Sequence, residues 1–196
     1  MLVKMKYVTI YTSSSNHVIK KYRGVCKELS DRLTQEGYGL VYGGANVGLM
    51  KVVADEFKKN QAPIISVILE LFDRHNLTYE QSDEVIVTKT MSERKKIMQE
   101  RGDAIIALPG GFGTLEELSE AITQKYLKRH NNPIIIFNVK GFFDHLLAYF
   151  ERLIEEKLAK PSIREYFYVA DSVDSIIKYL SEYQPIEEKS EYLSTN

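Results

Sequence analysis

The chain has no tryptophan, one cysteine, five prolines and only four histidines among its 196 residues, and each shortage removes a class of protein. With Cys26 alone no internal disulfide can form, and cysteine-based zinc sites are excluded with it. His17, His75, His130 and His145 are dispersed without a ligand-spaced pair, so no metal site is expected. No stretch reaches the roughly 18 apolar residues needed to cross a bilayer, and Met1 to Lys6 carries alternating lysines where a signal peptide would need an apolar core. A net charge of -1 and a pI near 6.5 supply no overall field for nucleic acid or an anionic membrane, which confines any anion site to a local cluster such as Arg94-Lys95-Lys96. The expected setting is the cytoplasm, with neither a nucleic-acid nor a membrane partner.

What is present is an ordinary globular composition, 44% hydrophobic and 27% charged, at a length that suits one domain with a real core. Short, apolar, β-branched runs lie at Tyr7–Tyr11, Leu40–Tyr42, Ile64–Ile68, Ala104–Leu108 and Ile134–Phe137, with weaker ones at Glu84–Val87 and Phe167–Ala170. Segments with helical spacing separate most of them, at roughly 17–36, 47–60, 91–101, 115–130 and 142–157, with a last helix near 172–181. This alternation predicts an α/β fold of Rossmann-like type, a doubly wound, mostly parallel sheet with helices on both faces, spanning residues 1–183 as one domain. The tail from Gln184 to Asn196 is polar and aperiodic, and is expected to be poorly ordered or docked on a partner subunit. The irregular linker from Leu69 to Asp83 has the length of a lid or binding loop.

In a doubly wound sheet ligands bind beyond the carboxyl ends of the strands, and three loops here fall at that edge. The most informative is Leu108-Pro109-Gly110-Gly111-Phe112-Gly113-Thr114. Its three glycines let backbone approach a ligand, and the helix that follows aims unpaired N–H groups at an anion, for which phosphate is the natural occupant. The loop Thr12-Ser13-Ser14-Ser15-Asn16 is rich in hydroxyls that serve either as helix caps or as contacts to ribose or phosphate. In Gly43-Gly44-Ala45-Asn46, the glycine pair permits a tight turn and Asn46 is placed to cap the next helix. In Met91-Ser92-Glu93-Arg94-Lys95-Lys96, a cap at Ser92 would put Arg94 and Lys95 in the first helical turn. Cations there oppose the dipole by about 0.3–1 kcal/mol each unless they meet an anion. Arg94 and Lys95 are therefore candidate ligand contacts, and Lys96 a solvated one. Thr114-Leu115-Glu116-Glu117 reads either as a T-x-x-E capping box or as a phosphate loop that leaves the Glu117 carboxylate to act on a bound sugar. Glu116 and Glu120 are expected in solvent.

Taken together, Pro109 to Glu117 (P-G-G-x-G-T-x-x-E) and Met91 to Lys95 (M-x-x-R-K) resemble the "lonely guy" family of cytokinin-activating nucleoside 5'-monophosphate phosphoribohydrolases, long labelled possible lysine decarboxylases. Val41-Tyr42-Gly43-Gly44, Val47 to Met50, Pro133 and Asn138 to Phe143 support the likeness, which runs from about Tyr7 to Leu180. The resemblance implies a Rossmann-like homodimer that hydrolyses the N-glycosidic bond of adenosine-type monophosphates without a cofactor, with Arg94 and Glu117 as the catalytic pair. By position it also implies substrate contacts at Ser14, Gly43, Gly44, Met91 and Lys95, and along Pro109, Gly110, Gly111, Gly113 and Thr114. The chain departs from typical members at Ser13, Leu69, Asn76, Tyr79, Ser92, Gln124 and Tyr126, positions that lie near the base and sugar in the family. A non-catalytic nucleotide-sensing module is the alternative reading. Lysine decarboxylation would need a pyridoxal Schiff base on a buried lysine, and no lysine is singled out by its sequence context.

Overall fold

In the computed structural model, which describes residues 5–186, seven strands form one sheet. They are β1 (Lys6–Tyr11), β2 (Tyr38–Tyr42), β3 (Ile64–Leu69), β4 (Glu84–Thr88), β5 (Ala104–Ala107), β6 (Ile134–Phe137) and β7 (Tyr168–Ala170). All neighbours are parallel, in the order β4-β3-β2-β1-β5-β6-β7, with Ile10 opposite Tyr42 on one side and Ile106 on the other. Central strands such as Ile134–Phe137 are buried on both faces, which is why they read as unbroken apolar runs.

The helices are α1 (Ile19–Gln35), α2 (Gly48–Lys59), the short α3 (Glu70–Asp73), α4 (Met91–Arg101), α5 (Phe112–Tyr126), α6 (Asp144–Glu155) and α7 (Val173–Glu182). One half of the core joins the sheet to α1, α2 and α7 through Tyr22, Cys26, Leu29, Phe57 and Ile176. The other half joins it to α4, α5 and α6 through Met98, Leu118, Ala121 and the partly buried Leu147 and Phe150. The chain leaves β1 in one direction across the sheet and resumes from β5 in the other, so the loops after β1 and β5 part at the switch point where such sheets bind ligands.

The Leu69–Asp83 linker, expected to be irregular, contains α3 and is stitched to the loop after β2. Ala45 bridges Thr78, Asn46 N–H donates to the Leu77 carbonyl at 2.7 Å, and Tyr79 N–H donates to Gly44 at 2.9 Å. After α7, Ile186 is held by the Asn131 side chain, whose amide meets its carbonyl and N–H, each at 3.2 Å. The rest of the polar tail, 187–196, lies outside the described residues. No helix among the described residues is long and apolar enough to cross a membrane.

Candidate active site

Each helix follows a parallel strand and so starts at the carboxyl edge of the sheet, and at two of the starts that carry motifs, those of α2 and α4, side chains or backbone from elsewhere take up first-turn N–H groups. Asn46 does not cap α2. Its first N–H, at Gly48, goes to the Asn16 side chain at 2.9 Å, and the Leu49 and Met50 N–H groups go to the Ser13 carbonyl. Gly48 has φ +60, and a Cβ there would sit 2.4 Å from the Ser14 backbone, so the β1 and β2 loops touch only because it is glycine. Ser92 does not cap α4 either. The cap is Thr90, which accepts from Glu93 N–H at 3.1 Å while the Glu93 carboxylate accepts from Lys89 N–H at 3.0 Å. The cap therefore lies two residues earlier than the sequence suggested, and Ser92 is exposed.

Helix α5 is different. It begins at Phe112 rather than near 115, its N-cap is Gly111, and no side chain caps it. Thr114 falls inside the first turn and folds back over Gly110, where a Cβ would lie 2.0 Å from its hydroxyl, so Thr114–Glu117 is not a capping box. Gly111 and Gly113 meet nothing within 4 Å and face open space in front of the helix start. Thr12 donates to the Pro109 carbonyl at 3.3 Å and ties this loop to the one after β1, where Ser14 is exposed.

Beside that start lies a buried ion pair. Arg94, 6% exposed, donates from Nη1 to Glu117 Oε1 at 2.8 Å and from Nε to the Val67 carbonyl at 2.9 Å. Its Nη2 lies 2.0 Å from where a Gly43 Cβ would stand, which explains that glycine; Gly44 needs its own, at φ +76, to turn the chain. Burial pushes the Glu117 carboxyl above the usual carboxylate range, and the adjacent Arg94 guanidinium only partly opposes this. A buried, hydrogen-bonded pair of this kind is retained for what it can do more readily than for stability, since a well-packed apolar pair would hold the fold as well.

Lys95 does not face the glycine loop with a free charge. Its ammonium sits between Glu116 at 2.6 Å and Glu120 at 2.5 Å. Burial works against its charge, but these two carboxylates outweigh it and raise its pKa. Glu120, expected in solvent, is thereby half-buried, and Lys95 braces α4 against α5. Met91, half-buried, opens α4 at the same edge.

The structure gathers Ser14, Gly43, Gly44, Met91, Arg94, Pro109, Gly110, Gly111, Gly113, Thr114 and Glu117 along one edge, as the motifs implied. It separates others. Gln124 and Tyr126 lie at the far end of α5, and Tyr79 is buried with its hydroxyl on Asp55 at 3.1 Å. No motif or spacing marked Tyr11, the last residue of β1, which is 1% exposed next to the Arg94–Glu117 pair. Nor did any mark Lys125, 2% exposed, whose pKa burial lowers to about 8 and whose Nζ meets the Tyr183 hydroxyl at 3.0 Å. This is the environment a Schiff-base lysine has. It stands twelve residues along α5 from Gly113, about 18 Å of helix, too far for one pyridoxal phosphate to meet both. The residues present do not fit that cofactor.

Among the described residues no cluster of His, Cys, Asp and Glu could hold a metal ion. The family model described as "Possible lysine decarboxylase" matches residues 50–180. Cytokinin riboside 5'-monophosphate phosphoribohydrolase LOG3 of Arabidopsis thaliana is 34% identical over 186 residues, 95% of this chain and 86% of that protein. The probable cytokinin riboside 5'-monophosphate phosphoribohydrolase LOGL9 of Oryza sativa subsp. japonica is 36% identical over 183 residues, 93% of this chain and 81% of that protein. Among solved structures, the molybdenum cofactor carrier protein of Chlamydomonas reinhardtii superposes with a TM-score of 0.70 at 17% identity, covering 91% of this chain and 98% of that one, a likeness of fold. By the family model and these relatives, the chain belongs to the LOG family of phosphoribohydrolases.

Proposed function

We propose that this protein hydrolyses the N-glycosidic bond of an adenosine-type nucleoside 5'-monophosphate, giving the free base and ribose 5-phosphate. The observation that carries this reading is the buried Arg94–Glu117 pair beside the start of α5, which no side chain caps and which the glycine loop leads into. The first-turn amides of α5 and Arg94 Nη2 hold the phosphate, so that binding energy remote from the reacting bond orients the sugar. Glu117 then faces C1'. It accepts a proton from the attacking water and stabilises the positive charge that grows on the ribosyl carbon. The water oxygen bonds to C1', the C1'–N electron pair leaves with the base, and the proton that Glu117 took from the water passes to the departing base, which restores the carboxylate. Low solvent access strengthens both electrostatic effects.

The names of the plant relatives favour an N6-modified adenine, while Ser92, Asn76 and Tyr79 stand where typical members have other residues. The reading includes a homodimer in the cytoplasm, with exposed Phe112, Leu115 and Leu127 of the α5 region as apolar surface for a second copy to cover. Purified protein incubated with adenosine monophosphate, and then with N6-substituted analogues, is expected to release free base on a chromatogram. Tight nucleotide binding with no base released from any of them would favour the sensing module instead.

A further inference from the structure

The side chain of Tyr11 is enclosed between the sheet, α4 and α5, and its hydroxyl has no hydrogen-bond partner among the described residues. The side-chain nitrogen of Gln99, on α4, is likewise enclosed and unpartnered, approaching that hydroxyl without reaching hydrogen-bond geometry. Two orphaned donors in one buried spot are unusual, because an enclosed polar group without a partner is destabilising, and a phenylalanine would fill the same space without that defect. Their neighbours say what they are for. The charged groups around the Tyr11 hydroxyl are Glu117 and Glu120 on α5 and Arg94 on α4, and burial together with those carboxylates drives its pKa far upward. It therefore remains a proton donor at every pH the protein meets.

Three carboxylates on this part of α5 could receive that donor. Glu116 and Glu120 are already engaged by Lys95. Glu117 alone relies on Arg94, the cation for which a substrate phosphate competes, and no described residue donates to its second oxygen. We propose that Tyr11 is a positioning residue for Glu117: its enclosed hydroxyl is a standby donor that steadies the ionised carboxylate, directly or through one water, when a bound phosphate draws charge from Arg94. Gln99 supplies the second donor of the same pocket. The inference rests on the phosphoribohydrolase reading above and extends it to the residue behind the catalytic carboxylate.

The experiment is Tyr11→Phe, with base release from adenosine monophosphate followed between pH 5 and 9 beside the wild type. The expected result is an acid limb of kcat displaced upward by about one pH unit, so that kcat falls about tenfold at pH values below that limb while kcat on the alkaline plateau and KM stay near wild type. Melting should occur at or above the wild-type temperature, since only an unpartnered hydroxyl is lost. Superimposable pH profiles would overturn the inference and leave the hydrolase reading intact. So would a uniform loss of kcat at all pH values with a lowered melting temperature, which marks a packing role. A wild type that releases no base overturns the hydrolase reading and this inference with it.

Discussion

Helix α5 buries an ionisable group near each end, and the two are treated in opposite ways. Near its start, Glu117 has a guanidinium at 2.8 Å, an uncapped helix N-terminus beside it and open space in front of Gly111 and Gly113. Near its end, Lys125 is buried without a carboxylate partner among the described residues and meets the Tyr183 hydroxyl, which itself donates to the Asn131 carbonyl at 2.9 Å. Burial alone raises a carboxyl and lowers an amine, and both shifts are present. The difference lies in the company. A charge held by an opposite charge is available for chemistry, whereas a lysine held only by a hydroxyl loses its proton more readily, at a pKa of about 8, and serves to fasten the C-terminal segment.

Breaking the charged end has the largest expected effect. Glu117→Gln keeps the shape and one acceptor for Arg94 but cannot take a proton, so base release should drop on the order of 10²–10⁴-fold in a discontinuous assay. Arg94→Ala also removes the phosphate contact and leaves a buried carboxylate alone, which should lower stability by about 3–5 kcal/mol at pH 8 in urea titration. Glu117 then has a folded-state pKa still further above its unfolded value. Its contribution to stability is present at acid pH and lost as pH rises through the folded pKa, so the Arg94→Ala deficit should shrink near pH 5. A deficit independent of pH would mean that the pair is not the source of the loss.

The lysine end should respond with the opposite sign. The folded pKa of Lys125 is depressed, so the penalty for protonating it is complete below about pH 8 and disappears as pH rises towards the unfolded value. Taken in full, that shift is worth about 3 kcal/mol, of which the half-buried Tyr183 and nearby solvent leave about 1–2 kcal/mol. Lys125→Met should therefore be more stable than wild type by that amount at pH 7 and nearly equal to it at pH 10, with base release unchanged. A destabilised variant would show that the Tyr183 hydrogen bond outweighs the buried charge.

The comparison also separates what the sequence carries from what it does not. The sheet was legible because buried parallel strands such as Ile134–Phe137 have no polar position to interrupt them. The glycine loop and the Arg94–Glu117 pair were legible because their spacing is unusual for a purely structural loop. Helix starts were less so: Ser92, Asn46 and Thr114 are all good caps by type, but Thr90, Val47 and Gly111 hold those positions, and Asn16 reaches α2 only from the β1 loop. Capping chemistry permits several candidates, and tertiary contacts choose among them. The role of Lys95 was missed for a related reason, since Glu116 and Glu120 reach it across a helix–helix contact that no local spacing reveals. Lys125 and Tyr11 left no signal at all, because one lysine on a helix and one tyrosine ending a strand become special only when the surrounding core closes.

The smallest effect sharpens the comparison most. Gly113 lies in the first turn of α5, at a negative φ, with nothing within 4 Å of where a Cβ would stand. Neither backbone strain nor packing requires glycine there, and glycine inside a helix is less favourable than alanine by about 0.5–1 kcal/mol. Gly113→Ala should accordingly raise stability by about that amount in thermal melts. If the space before the helix start is where a phosphate docks against the first-turn amides, the added methyl intrudes on it, and KM for adenosine monophosphate should rise several-fold while kcat changes less, because the methyl is remote from C1'. A gain in stability with KM unaltered would move the anion away from this turn, and the contrast between the two ends of α5 would then reduce to one of pairing alone.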